Sequence, residues 1–191
     1  RYVLATMRAL SLVLVVSSSA CVPVFCNGPL CACRDGMQCP LAPCDGCTTE
    51  CTQGSQCDFN GGHDTVNVCR DTGTCTGELG DRAAVTCDNS ASCQLNVGHD
   101  STAVCRGDAT CGVSGGDRAN LNCQNRAACT FSGGHDASAG TSGGTTCTIT
   151  VGERGAITCS EGARCTVTCT SCTLTCSGGA QCTCTGGNCT P

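Results

Sequence analysis

Twenty-six cysteines and three histidines are the residues of this 191-residue chain best suited to chemistry. Thiolates bind soft metals and exchange disulfides, and imidazoles bind metals and carry protons. Their spacing points elsewhere. Cys57, Cys75, Cys93, Cys111, Cys129, Cys147 and Cys165 stand 18 residues apart, and Cys33, Cys51, Cys69, Cys87, Cys105, Cys123 and Cys159 follow the same step. A fixed short period marks units that bury their faces only by stacking, as coils of a solenoid. His63, His99 and His135 recur every second coil, which sets them about 9.6 Å apart in a regular stack. One ion cannot join them, and a His-Asp pair falls short of the four ligands zinc takes. No serine or cysteine stands outside the repeat as a nucleophile. The chain is therefore expected to be no enzyme and to carry no cofactor.

The cysteines offer their own pairing. Cys-x5-Cys recurs as Cys33/Cys39, Cys51/Cys57, Cys69/Cys75, Cys87/Cys93, Cys105/Cys111, Cys123/Cys129, Cys159/Cys165 and Cys176/Cys182, while Thr141 occupies the place of one rung. If each short pair closes its own turn, Cys147 is left as a free thiol, available for an intermolecular bridge. Pairing across the coil as Cys-x11-Cys would orphan Cys129 instead. Either closure stabilises by roughly 2 to 3 kcal/mol, so energy does not decide. The short pairing is preferred because it recurs unbroken into the last coil. Cys44-Asp45-Gly46-Cys47 and Cys169-Thr170-Ser171-Cys172 are Cys-x-x-Cys motifs, which bind metal or do redox chemistry in some settings. In a chain this rich in cysteine they read as plain disulfides.

Such a cysteine content signals a disulfide scaffold, which persists in an oxidising compartment. A leader suits that expectation: Met7-Arg8, an apolar run from Ala9 to Val16, then Ser17-Ser18-Ser19-Ala20 before Cys21. Residues 1–20 read as a signal peptide with its start at Met7, and the run is shorter than the ~20 apolar residues that span a bilayer. Ser19-Ala20-Cys21 resembles the end of a bacterial lipobox, which implies lipidation of Cys21; plain cleavage after Ala20 is the alternative. The membrane would then be reached only through that anchor.

A second level of repetition lies at the other turn. Gly62, Gly80, Gly98, Gly116, Gly134 and Gly152 precede His63-Asp64, Asp81-Arg82, His99-Asp100, Asp117-Arg118, His135-Asp136 and Glu153-Arg154. The true repeat is thus 36 residues, two coils of alternating type. Stacking yields one column of Asp64, Arg82, Asp100, Arg118, Asp136 and Arg154, and a neighbour of His63, Asp81, His99, Asp117, His135 and Glu153. Exposed pairs contribute only about 0 to 1 kcal/mol each, so the columns serve register: a slip by one coil sets like charge against like. Arg70, Asp88 and Arg106 repeat the device on the opposite turn before Gln124 ends it.

Between the turns a period of two predicts two short strands per coil. Inward positions are Phe59, Gly77, Leu95, Val113, Phe131 and Ile149 on the first strand and Asn67, Val85, Ala103, Leu121, Ala139 and Ile157 on the second, with Val66 or Val68 as substitutes for Asn67. The expected fold is all-β, a disulfide-stapled β-solenoid. A flattened two-sheet form is preferred over a triangular left-handed β-helix because turn signals occur twice per coil. Residues 21–47, with Pro23, Pro29, Pro40 and Pro43, are expected to form a linker and N-terminal cap, and residues 48–191 the solenoid.

Four resemblances bear on function. Gly62-His63-Asp64-Thr65-Val66 resembles half of an RTX calcium-binding nonapeptide, which implies calcium, or more broadly a Ca- or transition-metal-binding repeat; Arg82, Arg118 and Arg154 fill the place of the cation, and no metal is expected. Thr130/Ser132, Thr148/Thr150, Thr166/Thr168 and Thr183/Thr185 form an outward Thr-x-Thr array similar to beetle antifreeze proteins, which implies ice binding through Thr130, Thr148, Thr150, Thr166, Thr168, Thr183 and Thr185. The leader, Cys21 and the Cys-Thr-Val-Thr-Cys and Cys-Ser-Gly-Gly-Ala-Gln-Cys segments resemble bacterial cysteine-rich repetitive lipoproteins, alongside the lipobox likeness. That implies a location outside the cytoplasm, secreted or anchored to the envelope, and a structural or interaction scaffold whose surface or matrix partner is unknown. A net charge of -5 and three phenylalanines, one tyrosine and no tryptophan argue against nucleic acid.

Overall fold

A computed structural model describes residues 25–27, 29–41, 43–186 and 188–190; the expected leader and Cys21 lie outside them. The described residues contain no helix. The strands are β1 (Phe25–Asn27), β2 (Leu30–Cys33), β3 (Gln38–Pro40), β4 (Thr48–Cys51), β5 (Gln56–Asn60), β6 (Val66–Cys69), β7 (Thr74–Leu79), β8 (Ala84–Cys87) and β9 (Ser92–Val97). They continue with β10 (Thr102–Cys105), β11 (Thr110–Gly115), β12 (Asn120–Cys123), β13 (Ala128–Gly133), β14 (Ser138–Thr141), β15 (Thr146–Cys159), β16 (Arg164–Cys176), β17 (Gln181–Cys184) and β18 (Asn188–Thr190).

Each coil supplies two strands, and every strand from β2 onward pairs in parallel with its counterpart one coil away. Odd-numbered strands from β3 to β13 form one column and even-numbered strands from β2 to β14 the other. Strands β15 and β16 are long enough to contribute to both. The register is 18 residues as far as Glu153, which meets Ser171; from Gly155, which meets Cys172, it is 17, and it stays so where Arg164 meets Gln181. The missing residue lies at the charged turn, opposite Arg154, where the register shifts between Glu153 and Gly155.

The solenoid begins earlier than residue 48. Leu30 pairs with Thr48 and Gln38 with Gln56, so residues expected to be linker contain a full coil. Prolines and the lack of a charged pair disguise it. Strand β1 lies antiparallel on β2, which covers an edge that would otherwise offer unpaired backbone groups.

The core follows the period of two. Phe59, Leu95, Val113, Phe131, Ile149 and Val167 stack along one column and Val85, Ala103, Leu121, Ala139, Ile157 and Leu174 along the other, all buried. Burying a side chain of Val, Leu, Ile or Phe size stabilises by about 1.5–3 kcal/mol, and cysteines and alanines fill the space beside them. Phe131 shares its coil with Ala139, whereas Leu121 shares its own with Val113, so bulk alternates between the two strands. Gly77 takes its place in the first column at φ +130, where a Cβ would collide with the carbonyl of Phe59. Asn67 keeps its inward place at 3 % exposure and donates through Nδ2 to Thr65 Oγ1 at 3.0 Å. Val66, the expected substitute, is 43 % exposed. The side-chain hydrogen bond makes the buried amide tolerable.

Candidate functional site

The two turns of each coil form two edges of the stack. On the first edge a four-residue turn lies within the five residues between the cysteines of Cys-x5-Cys. Asp71 and Thr72, Asn89 and Ser90, and Asn125 and Arg126 all have positive φ, and the backbone closes from Gly73 N to Arg70 O, Ala91 N to Asp88 O and Ala127 N to Gln124 O. This is the type I′ turn, which favours Asn, Asp and Gly. The turn between Cys105 and Cys111 differs, with positive φ at Gly107 but not at Asp108. Across all eight turns the flanking Cα atoms lie 6.2–6.7 Å apart and the short pairs are bridged: Cys33–Cys39, Cys51–Cys57, Cys69–Cys75, Cys87–Cys93, Cys105–Cys111, Cys123–Cys129, Cys159–Cys165 and Cys176–Cys182. Cys44–Cys47, Cys169–Cys172 and Cys184–Cys189 are also bridged.

The last short bridge departs from the others in its surroundings. Cys182 meets Cys165 in register 17 residues on, off the 18-residue ladder. It is only partly buried against the core, and its partner Cys176 is exposed, whereas both cysteines of the seven earlier short bridges are buried. The physical reason is the absence of a covering coil: among the described residues no strand pairs with the far side of β17. The short pairing expected to hold into this coil therefore keeps its disulfide there but loses its burial.

Cys147 is the free cysteine among the described residues. Thr141 stands in register between Cys123 and Cys159, in the place of its partner. The Thr141 hydroxyl lies 3.0 Å from Cys165 Sγ, and the Cys147 thiol faces Thr145 Oγ1 at 3.6 Å. Burial pushes the Cys147 thiol up from its ordinary pKa, against the pull of hydrogen bonds to Thr145 and Thr141. At 2 % exposure it offers little to a second chain. Sulfur triads close enough to hold a metal, such as Cys51, Cys69 and Cys75 or Cys105, Cys111 and Cys129, consist of bridged cysteines, and Cys147 lies with Cys123 and Cys129 in another. A disulfide sulfur lacks the thiolate charge that binds metal.

The second edge carries the charges. Asp64, Arg82, Asp100, Arg118, Asp136 and Arg154 all adopt φ between 56° and 58°, a region that Asp tolerates and Arg rarely enters. Bidentate ion pairs hold them: Nε and Nη2 of Arg82, Arg118 and Arg154 reach both carboxylate oxygens of Asp64, Asp100 and Asp136 at 2.6–2.7 Å. Each arginine thus pairs with the aspartate one coil before it. The guanidinium hydrogen bond holds Asp64, Asp100 and Asp136 below the usual carboxylate range.

The neighbouring column works differently from a row of alternating charges. From Asp45 to Asp117 each side chain accepts a hydrogen bond from the backbone N–H of the next coil. His63 N donates to Asp45 Oδ1 at 2.7 Å, Asp81 N to His63 Nδ1 at 3.0 Å, and His99 N to Asp81 Oδ1 at 2.8 Å. Asp117 N then donates to His99 Nδ1 at 3.0 Å and His135 N to Asp117 Oδ1 at 2.8 Å. An accepting Nδ1 is unprotonated, so His63 and His99 carry their proton on Nε2. Glycine is required just before these pairs. A Cβ on Gly98 or Gly134 would strike Oδ1 of Asp81 or Asp117, and one on Gly116 would come 3.0 Å from His99 Nδ1.

The two Cys-x-x-Cys bridges bracket this edge. Asp45, inside the first, starts the capping column. Cys169 and Cys172 of the second pair in register with Val151 and Gly155, taking the place of the next charged turn. Compared with family models, curated proteins and solved structures, the chain matches none. What it can do must be read from these edges and from the faces between them.

Further ion pairs lie on the disulfide edge. Arg106 pairs with Asp88 at 3.0 Å, as the spacing suggests, but Arg70 turns to Glu50 at 3.7 Å, and Glu50 also receives Arg34 at 3.0 Å. Asp108 and Arg126 form a bidentate pair at 2.9 Å. Their 18-residue separation is the sequence signal that could have revealed them. The Thr-x-Thr residues are exposed and in register. Thr130, Thr148, Thr166 and Thr183 form one row, Ser132, Thr150 and Thr168 a second, and Thr168 Oγ1 lies 2.9 Å from Thr185 Oγ1.

Proposed function

We propose that the chain is a non-enzymatic scaffold that works outside the cytoplasm, exported or anchored at the cell surface, and presents its sheet faces to a surface or matrix partner. The observation that carries this reading is the intra-coil disulfide, repeated at eight Cys-x5-Cys turns of the stack. Disulfides in such number form and persist in oxidising compartments. The likeness of its leader and repeats to bacterial cysteine-rich lipoproteins supports the location, and a lipid on Cys21 is the anchor that likeness implies. Charged side chains gather at the turns. The outward positions of the first column from Ser92 to Thr185 are uncharged apart from Arg164. Intact mass of the exported protein tests the reading. A lipid-sized increment at Cys21 with nearly no reactive thiols supports the anchored form, cleavage without lipid supports the secreted form, and a reduced protein retained in the cytoplasm contradicts both.

A second reading rests on the hydroxyl rows. Four coils present Thr or Ser at two outward positions in parallel register, a periodic surface suited to an ordered lattice such as ice. Upstream the same positions hold Asp58 and Asn60, Thr76 and Glu78, and Gln94 and Asn96, which confines the regular patch to the last coils. Thermal hysteresis that disappears on replacing Thr150 and Thr168 with bulky residues would favour ice binding. Its absence in the native protein would end that reading.

A further inference from the structure

We infer that His63 and His99 make the charged edge an acid-sensitive seam, closed when their imidazoles are neutral and released when they are protonated. The geometry carries this. Nδ1 of His63 and His99 accepts the backbone N–H of Asp81 and Asp117 at 3.0 Å. A protonated Nδ1 has no lone pair to offer and would set N–H against N–H. The same imidazoles lie 3.9 and 3.8 Å from Oδ2 of Asp81 and Asp117. An imidazolium therefore has an anionic partner beside it and turns from the backbone amide to the carboxylate.

The surroundings are mixed in charge. His63 faces Asp45 and Asp81 from the adjoining turns, with Asp64 beside it and Arg82 held on Asp64. His99 faces Asp81 and Asp117, with Asp100 beside it and Arg118 held on Asp100. His135 N is capped by Asp117, its neighbour Asp136 holds Arg154, and Glu153 follows in the column. The column's four carboxylates, Asp45, Asp81, Asp117 and Glu153, give it a charge of -4 with neutral histidines and -1 with all three protonated. Acid thus changes both the closure of the edge and the potential it shows to a partner.

The column carries its own control. At alternate coils Asp45, Asp81 and Asp117 make the same cap with a carboxylate oxygen, on the amides of His63, His99 and His135. Those caps survive the pH range in which histidine changes charge, about 5 to 8. Lost cap and gained ion pair offset one another in global stability, so the readout must be local. Residue-resolved amide exchange of the full oxidised chain, expressed as protection factors at about pH 8 and about pH 5, distinguishes the two sets.

The expected result is a fall of about tenfold in protection at Asp81 and Asp117, the scale of one lost hydrogen bond, with His63, His99 and His135 amides unchanged. A His63→Asn and His99→Asn double variant, whose Oδ1 can accept as Asp81 does, should hold protection at Asp81 and Asp117 across the range. Equal change at both sets, no change at either, or a fall that persists in the double variant would overturn the inference.

Discussion

The two edges of the same coil solve different problems. On the disulfide edge, closure is covalent and joins residues six apart, so each bridge shapes one coil and says nothing of its neighbours. On the charged edge, hydrogen bonds and ion pairs join residues 18 apart, so each contact stacks one coil on the next and does nothing to close either. In a solenoid whose core holds few aromatic side chains, cysteine fixes the cross-section and polar side chains fix the register.

Reduction should produce the largest effect. Each short loop closure stabilises by about 2 kcal/mol in the chain-entropy picture, and eight such bridges together exceed the ~5–15 kcal/mol that holds an ordinary domain. Full reduction is expected to abolish the strand signal in circular dichroism at ambient temperature. A reduced protein that kept its signal and melting temperature would show that the polar edge and core suffice.

A glycine pair probes the other edge. Gly98→Ala places a methyl group against Asp81 and the backbone of the preceding turn, and overpacking of this kind costs about 1–3 kcal/mol. Gly140→Ala meets nothing within 4 Å and should be neutral or stabilise by up to about 1 kcal/mol. Denaturant midpoints of the two variants should therefore move apart. Equal shifts would mean that the close approach at the charged turn is unimportant.

Thr141→Cys offers a gain. Thr141 and Cys147 occupy the positions that every neighbouring coil bridges, and the variant is expected to close the rung and add about 2 kcal/mol. Thiol titration after unfolding should then find no thiol at Cys147. Finding two thiols, at 141 and 147, would show that the gap is enforced by local packing.

Acid should give the smallest effect. Hydrogen bonding to arginine lowers Asp64, Asp100 and Asp136, so the unfolded chain takes up protons first as pH falls. Their stabilisation is complete above the ordinary carboxylate value of about 3.9 and is lost as pH falls through the lower folded values. Arg118→Ala should return the Asp100 titration, followed by NMR, toward the ordinary range and leave Asp64 almost unmoved. An unchanged Asp100 would show that the pair contributes nothing in solution.

Much of this was legible in the residues. Period, strand number and inward faces follow from the 18-residue step and the alternation around Phe59, Leu95 and Phe131, because these are properties of the chain's own spacing. The capping role of His63 and Asp81 was not legible, since sequence shows a titratable residue but not the direction of its lone pair. The coil at Leu30–Pro40 was hidden by proline and by a Cys-x-x-Cys bridge where later coils carry charge. The Cys176–Cys182 bridge was legible from its spacing, but the exposure of its coil was not, because burial depends on what stacks next. Asn67 looked out of place because its partner, Thr65, is polar for a reason visible only once both are buried.

Disulfide mapping of the exported, unreduced protein, with thiols alkylated in denaturant before digestion, tests the division of labour most directly. Cross-linked peptides should join Cys51 to Cys57, Cys69 to Cys75 and so along the stack to Cys176 and Cys182, with alkylation at Cys147 and at no other cysteine from 33 to 182. Bridges of the Cys-x11-Cys kind, or alkylation spread along the stack, would contradict it.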